Sequence, residues 1–297
     1  MHVKRVVEAI ILAAGRGTRL SPLTDYQNKH LIPIYDKPMI YFSITTAILS
    51  GCRVLNIVIN EADLDAYKHL ERVLNELNVV VNLCVQNPDA DGLPTAMLAA
   101  RESVQTETVL ILLADNMVTG HGFIGRLKDG IGTGNVQLFT KKLLDPSAYG
   151  VVVRDSAGGV LDLIEKPKVF RSSEVIVGIY CLPSSIAFEE ANKLIPSERG
   201  ETEIVDLLKA VARRGYKIEA NDLGRGTVWL DTGTHSNLFL AAEYVRVIQE
   251  RQAQVIGSIE EAALEMGLVS NKELLGYLNR RPSSEYYLRV GASIRSK

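Results

Sequence analysis

The chain has 297 residues, a formal net charge of −2, 46% hydrophobic and 23% charged residues, and three cysteines. That balance suits a globular protein with a sizeable core and gives no electrostatic case for a nucleic-acid partner. No apolar run is long enough to cross a membrane, the N-terminal stretch lacks a signal-peptide core, and Cys52, Cys84 and Cys181 lie far apart in apolar contexts, so the expectation is a cytoplasmic protein with reduced cysteines and no membrane contact.

The first predicted element is the apolar run 10–14, a buried strand that breaks into Gly15-Arg16-Gly17-Thr18-Arg19. Two glycines there leave peptide N–H groups open to an anion, and Arg19 adds a forked positive charge suited to phosphate. Two familiar phosphate loops do not fit. A P-loop needs Lys-Ser/Thr after its last glycine, and the dinucleotide fingerprint needs a small residue where Leu20 stands and then a helix, whereas Pro22 comes next but one. Asp36 mimics the ribose-binding acid of that fingerprint in spacing, but Pro33 and Pro38 around it suit a loop.

Pro38 opens a helix over 39–50, stopped by Gly51 and apolar nearly all round. A strand over 54–59, an amphipathic helix over 63–77 and a strand over 79–85 come after it. The turn-rich stretch 86–93 leads into an alanine-rich helix from Pro94 to about Val104. The most continuous apolar run, 109–113, reads as a central strand ending in Ala114-Asp115-Asn116. Strands alternating with helices predict an α/β domain with a mostly parallel sheet, whose ligands sit off the carboxyl ends of the strands.

Beyond residue 135 the pattern turns β-rich. Runs at 136–140, 149–154, 160–165 and 175–181 read as strands, the middle two joined as a hairpin through Gly158-Gly159. Helices are predicted over 186–194 and 203–214, short strands over 216–220 and 228–230, a helix from Thr234 or Ser236 to about Gln252, and two short helices over 258–266 and 271–279. The fold expectation is a Rossmann-like, mostly parallel central sheet flanked by helices, with a β-rich insertion and a C-terminal helical extension. The division expected is a catalytic domain over 1–240, with parts at about 1–135 and 136–235, and an extension over 241–297.

Four loop clusters, and Lys166 beside them, carry chemistry on their residues alone. Gly15–Arg19 suits phosphate. Lys29 suits phosphate or is a solvated lysine. Asp115 and Asp231 each close an apolar run, as metal ligands or as structural acids. Lys166, after Glu165, suits a second phosphate or is half of a surface pair.

In this order, Leu12-Ala13-Ala14-Gly15-Arg16-Gly17-Thr18-Arg19-Leu20, Asn28-Lys29-His30-Leu31-Ile32-Pro33, Tyr35-Asp36-Lys37-Pro38-Met39-Ile40, Ala114-Asp115-Asn116, Tyr149-Gly150-Val151-Val152, Glu165-Lys166-Pro167, Arg199-Gly200-Glu201 and Trp229-Leu230-Asp231-Thr232-Gly233-Thr234-His235 together resemble the sugar-1-phosphate nucleotidylyltransferases. The resemblance is strongest to the branch that joins dTTP to glucose 1-phosphate, and it covers nearly the whole chain. It implies that a sugar 1-phosphate oxygen attacks the α-phosphorus of a nucleoside triphosphate and pyrophosphate leaves.

It further implies that Leu12, Ala13, Ala14, Gly15, Gly17 and Thr18 hold the nucleotide and that Gln86 and Gly92 contact the base. Arg19 and Lys29 would stabilise phosphate charge, and Asp115 and Asp231 would hold Mg²⁺. Lys166 and Arg199 would bind the sugar phosphate, while Asn116, Tyr149, Gly150, Glu165 and Gly178 line the sugar pocket. A homo-oligomer, dimer or tetramer, is also implied. The base loop 86–96 departs from the branch pattern: it is one residue longer, and Pro94-Thr95 replaces an Ala-Gln pair. Another triphosphate (GTP, UTP, CTP or ATP), a modified-sugar or cyclitol phosphate, and a non-catalytic nucleotide-sugar sensor on the same fold are the alternatives.

Overall fold

The computed structural model describes residues 7–252 and 254–295. Its strands are β1 (Glu8–Leu12), β2 (Pro33–Ile34), β3 (Lys37–Pro38), β4 (Val54–Ile59), β5 (Val80–Val85), β6 (Thr108–Leu113), β7 (Asn116–Thr119), β8 (Val136–Lys142), β9 (Val151–Arg154), β10 (Val160–Ile164), β11 (Glu174–Pro183), β12 (Ile218–Asp222) and β13 (Val228–Asp231). Its helices are α1 (Ile40–Leu49), α2 (Leu64–Asn75), α3 (Leu93–Met97), α4 (Phe123–Gly132), α5 (Ser184–Ala191), α6 (Ile204–Arg213), α7 (His235–Gln252), α8 (Ile259–Glu265), α9 (Asn271–Asn279) and α10 (Glu285–Arg295).

β1 is buried at all five positions because it is hydrogen-bonded in parallel to β4 on one side and β6 on the other. A parallel strand covered by helices on both faces has no solvent side, so it reads as a continuous apolar run. β5 extends this parallel block beyond β4. The remaining part of the nine-stranded sheet is joined through β11, buried along all ten residues. Its second half pairs antiparallel with β6, and it also pairs with β8 and β9. The β9–β10 hairpin appears as the sequence predicts, and β12 runs parallel to β8.

β11 and β8 shift register between Val177 and Tyr180, around Gly178. A Cβ on Gly178 would lie 2.6 Å from the Leu113 side chain, so only glycine admits that close approach. β7 and β13 form a separate antiparallel pair that sets Asp231 opposite Asn116. β2 and β3 make a two-residue ladder away from the main sheet, in keeping with the prolines in that stretch.

The C-terminal helices share a core with the first half of the chain. Ile259, Ala263, Leu274, Tyr277 and Val290 pack in one cluster with Ile44, Ile48, Leu55 and Tyr67. Each large apolar side chain among them contributes about 1.5–3 kcal/mol by leaving water.

Some boundaries differ from expectation. The helix expected from Pro94 to Val104 ends at Met97 and tightens into a 3₁₀ turn, Leu98–Ala100, with i→i+3 bonds that bury Ala100. Among the described residues five elements, β2, β3, β7, α4 and α10, lie outside the predicted strands and helices.

Candidate active site

The four parallel strands all end at one edge, and the residues just beyond their ends line a single cleft of about 1100 Å³. Leu12, Ala14 and Gly15 come from the end of β1, Asn60 from that of β4, Gln86 from that of β5, and Asp115 from that of β6. Open parallel sheets bind ligands at this edge, where loops diverge from rigid strands.

The first loop is tied down by asparagines. Asn28 Nδ2 donates to the Ala13 carbonyl at 3.2 Å, and Asn60 Nδ2 donates to the Ala14 carbonyl at 2.9 Å. Gly17 has φ 63°, and a Cβ there would meet Lys29 Cβ at 2.8 Å and Thr24 Cγ2 at 2.9 Å. Both conformation and space therefore require glycine. Thr18–Leu20 is a single 3₁₀ turn that presents Thr18 and Arg19 to solvent.

Lys29 sits in the 3₁₀ helix Lys29–Leu31, whose cap is Asn28; the Asn28 side chain accepts from the His30 N–H at 2.9 Å. This turn aims Lys29 Nζ at Asp115 Oδ2, 2.5 Å away. Asn116 Nδ2 donates to the other oxygen, Oδ1, at 2.9 Å. Burial pushes the Asp115 carboxyl up, but the adjacent Lys29 charge and these two hydrogen bonds prevail and hold it well below the usual carboxylate range. His30, fully enclosed behind Lys29, is pushed down to about 3 by burial and by the Lys29 ammonium, so it is neutral at pH 7.

Asp231 lies across from this pair through β7–β13. Its Oδ1 accepts from the Gly233 N–H at 2.7 Å and its Oδ2 from the Tyr149 hydroxyl at 3.2 Å. A Cβ on Gly233 would sit 2.8 Å from both Arg19 Nη2 and Asp231 Oδ1, so the phosphate-type loop and the second aspartate meet over that glycine. Tyr149 packs edge-on against Trp229, centroids 5.1 Å apart. Trp229 Nε1 donates to Asn116 Oδ1 at 2.6 Å, and the Gly178 N–H donates to the same oxygen at 3.2 Å. Asn116 thus connects Asp115, Gly178 and the Tyr149–Trp229 wall.

Two carboxylates, Asp115 in the turn between β6 and β7 and Asp231 at the end of β13, are hard oxygen donors and suit Mg²⁺, which takes one or two carboxylates and completes its shell with phosphate and water oxygens. Among the described residues no cluster of three or more His, Cys, Asp or Glu side chains forms.

A third group gathers around Glu165. Lys166 Nζ and Arg199 Nη1 both lie 3.7 Å from Glu165 Oε1. Lys166 adopts φ 38° while its N–H donates to the Tyr149 carbonyl at 3.1 Å, which fixes it beside the Tyr149 segment. A Cβ on Gly150 would come within 3.0 Å of Glu165 Oε2. Burial pushes the Glu165 carboxyl up. Arg199 also pairs with Glu203 at 2.9 Å and Glu201 at 3.2 Å.

Gln86 is held by its Nε2 donating to Asn60 Oδ1 at 2.9 Å, and Gly92 bridges to Thr202. The cleft wall contains Leu12, Ala14, Gly15, Lys29, Gln86, Gly92 and Asp115 but, among the described residues, not Arg19, Asp231, Lys166 or Arg199. The first set lines the cleft; Asp231 and Tyr149 connect to it through Asp115 and Asn116. Asn60, a second-strand counterpart of Asp115, is not singled out by the sequence although it directly succeeds the apolar run 54–59. The signal was there: a polar residue at a parallel strand end.

Residues 8–247 match the family described as nucleotidyl transferase. A glucose-1-phosphate thymidylyltransferase of Mycolicibacterium smegmatis is 35% identical, covering 90% of this chain and 92% of its own length. One from Xanthomonas campestris pv. campestris is 37% identical, covering 90% of each. Among solved structures, a candidate glucose-1-phosphate thymidylyltransferase of Bacillus anthracis with a bound sucrose superposes with TM-score 0.71 at 27% identity, over 81% of this chain and 96% of that one. A UDP-glucose pyrophosphorylase complexed with UDP-glucose gives TM-score 0.71 at 23% identity, over 83% and 100%, a likeness of fold.

Proposed function

The chain belongs to the nucleotidyl transferase family as a sugar-1-phosphate nucleotidyltransferase, and on that premise we propose that it joins dTTP to glucose 1-phosphate, giving dTDP-glucose and pyrophosphate. The observation that carries this reading is the cleft at the parallel strand ends, where Gly15, Arg16, Lys29 and Asp115 meet.

In the reaction a phosphate oxygen of glucose 1-phosphate forms a bond to the α-phosphorus. The bond from that phosphorus to the bridging oxygen breaks, and its electron pair leaves with pyrophosphate. The attacking oxygen is already anionic, so positioning and charge neutralisation supply the rate.

The backbone of Leu12, Ala13, Ala14, Gly15, Gly17 and Thr18 cradles the triphosphate, and Gln86 and Gly92 meet the base. Arg19 faces charge on the transferring and leaving phosphates. Lys29 exchanges its Asp115 partner for a phosphate oxygen. Asp115 and Asp231 would hold Mg²⁺, which neutralises triphosphate charge when bound. Lys166 and Arg199 anchor the sugar phosphate; Asn116, Tyr149, Gly150, Glu165 and Gly178 hold the hexose. Tyr149 also orients Asp231, since its hydroxyl donates to that carboxylate. The free, buried state of all three cysteines supports a cytoplasmic assignment.

The longer base loop favours a second reading on the same chemistry, with another triphosphate or a modified sugar phosphate. Pyrophosphate release measured with dTTP, UTP, GTP, CTP and ATP, each against glucose 1-phosphate, separates the two. A preference of at least tenfold for dTTP is expected, on the order of one lost base contact; a preference for another base overturns the dTTP assignment.

A further inference from the structure

Loop 86–96 and loop 197–203 are far apart in sequence and share one carboxylate. Asp91 Oδ1 accepts from the Thr95 hydroxyl at 3.0 Å and from the Thr202 hydroxyl at 3.1 Å. The Thr202 N–H donates to the Asp91 carbonyl at 3.2 Å, and the Asp91 N–H donates to Thr95 Oγ1 at 3.1 Å. The two hydroxyl oxygens are 3.2 Å apart, and Thr202 is 2% exposed. Gly92 lies so close that a Cβ on it would fall 2.1 Å from the Thr202 carbonyl oxygen.

The second loop is internally hydrogen-bonded. The Ser197 N–H donates to the Glu201 carbonyl, the Gly200 N–H donates to the Ser197 carbonyl, and Arg199 N–H donates to Ser197 Oγ. These bonds tie Arg199 into the turn that leads directly to Thr202. Gly200 and Glu201 line the same cleft as Gln86 and Gly92. One part-buried hydrogen-bonded knot thus fastens the wall beside the proposed base contacts to the loop that carries a proposed sugar-phosphate arginine.

We infer that Asp91, Thr95 and Thr202 form a latch that couples the two substrate sites, with Thr202 as a positioning residue: ordering loop 86–96 around the nucleotide orders Arg199 for the sugar phosphate, and the reverse. The inference rests on the substrate pair proposed above. Coupling between two ligands is reciprocal in free energy, so it is measurable from either side. Hydrogen bonds to a carboxylate are stronger than those between neutral groups, so deleting one hydroxyl breaks the coupling.

The test is calorimetric titration of full-length protein with thymidine 5′-(α,β-methylene)triphosphate, which does not react, in the absence and presence of saturating glucose 1-phosphate. In the parent protein the sugar phosphate tightens nucleotide binding by at least about fivefold, the low end of ordinary coupling. In Thr202→Val the effect falls below about twofold while each ligand still binds, and Thr202→Ser restores it because the hydroxyl returns. Thr95→Val, in the first turn of α3, gives the same loss and serves if Thr202→Val does not fold. Coupling of parental size in a folded Thr202→Val or Thr95→Val protein overturns the latch, as does failure of Thr202→Ser to rescue or a parent protein that binds both ligands without coupling. A parent protein that binds neither ligand overturns the substrate assignment instead.

Discussion

Lys29 Nζ lies 2.5 Å from Asp115 Oδ2, so a lysine and an aspartate that both face the cleft satisfy each other. Neither charge is left unpaired in a partly buried site, where an isolated charge is costly. The pair also holds Asp115 ionised and points both groups at the strand ends.

Replacing Lys29 by Met removes the charge and strands Asp115. Unfolding free energy falls by about 3 kcal/mol, the scale of breaking a buried pair by deleting one partner. Chemical denaturation at pH 7 checks this. In the parent protein the Asp115 carboxyl is depressed below its ordinary 3.8, so its contribution to stability is present above that pH and is lost as pH falls through the folded value. In Lys29→Met burial acts without that counter-charge and the Asp115 carboxyl rises, so the stability deficit relative to the parent narrows as pH falls, and denaturation of both proteins repeated between pH 3 and 6 reads it.

Asp231→Asn keeps an oxygen to accept the Gly233 N–H, so the fold is retained. It removes negative charge where a cation would be held. The expected result is an unchanged thermal midpoint, kcat/KM lower by at least about 100-fold, and a higher Mg²⁺ requirement. Near-parental rates at low Mg²⁺ would remove Asp231 from the metal site.

Gly17→Ala and Gly215→Ala form a matched pair. Both glycines have positive φ, 63° and 96°, and both substitutions cost about 1–2 kcal/mol in backbone strain. Only at Gly17 does the new Cβ run into Lys29 and Thr24; at Gly215 nothing lies within 4 Å. Gly17→Ala is expected to raise the nucleotide KM as well as lower stability, and Gly215→Ala to lower stability alone. Steady-state kinetics with thermal melts of both variants checks the split.

Glu260 is fully buried, accepting from the Tyr286 hydroxyl at 2.5 Å, Ser258 Oγ at 3.2 Å and the Tyr277 hydroxyl at 3.4 Å. Burial pushes its carboxyl above the ordinary 4.5, and these hydrogen bonds only partly offset that. A carboxyl raised in the folded state holds its proton more tightly there than in the unfolded chain. Its contribution is therefore complete below 4.5 and is lost as pH rises through the folded value. Glu260→Gln, which does not titrate, is expected to gain thermal stability relative to the parent as pH goes from 4.5 to 8. A parallel pH dependence in the two proteins contradicts this.

Much of the parallel half was legible because its strands are buried on both faces and end in polar residues: the run 54–59 is β4 to the residue, and 109–113 is β6 less one. Asp115 and Asp231 were placed at strand ends by the same signal. What escaped depends on distant partners or masked propensity. α4 contains Gly125, Gly130 and Gly132, which weaken the helical signal by about 1 kcal/mol each. It forms because Phe123, Leu127 and Ile131 bury on one face. β7 is a strand because β13, over a hundred residues later, pairs with it. Thr202 gave no local sign of its partner, since Asp91 lies 111 positions away. The expected division at residue 240 falls inside α7, which runs unbroken from His235 to Gln252.

Attack of the sugar-phosphate oxygen on the α-phosphorus is tested most directly by tracing oxygen. Glucose 1-phosphate labelled with ¹⁸O in its phosphate oxygens is reacted with dTTP and Mg²⁺, and the products are read by ³¹P NMR. Direct attack predicts ¹⁸O in the bridge between the two phosphorus atoms of dTDP-glucose and none in pyrophosphate. Label in pyrophosphate, or no nucleotide sugar from any triphosphate, would contradict it.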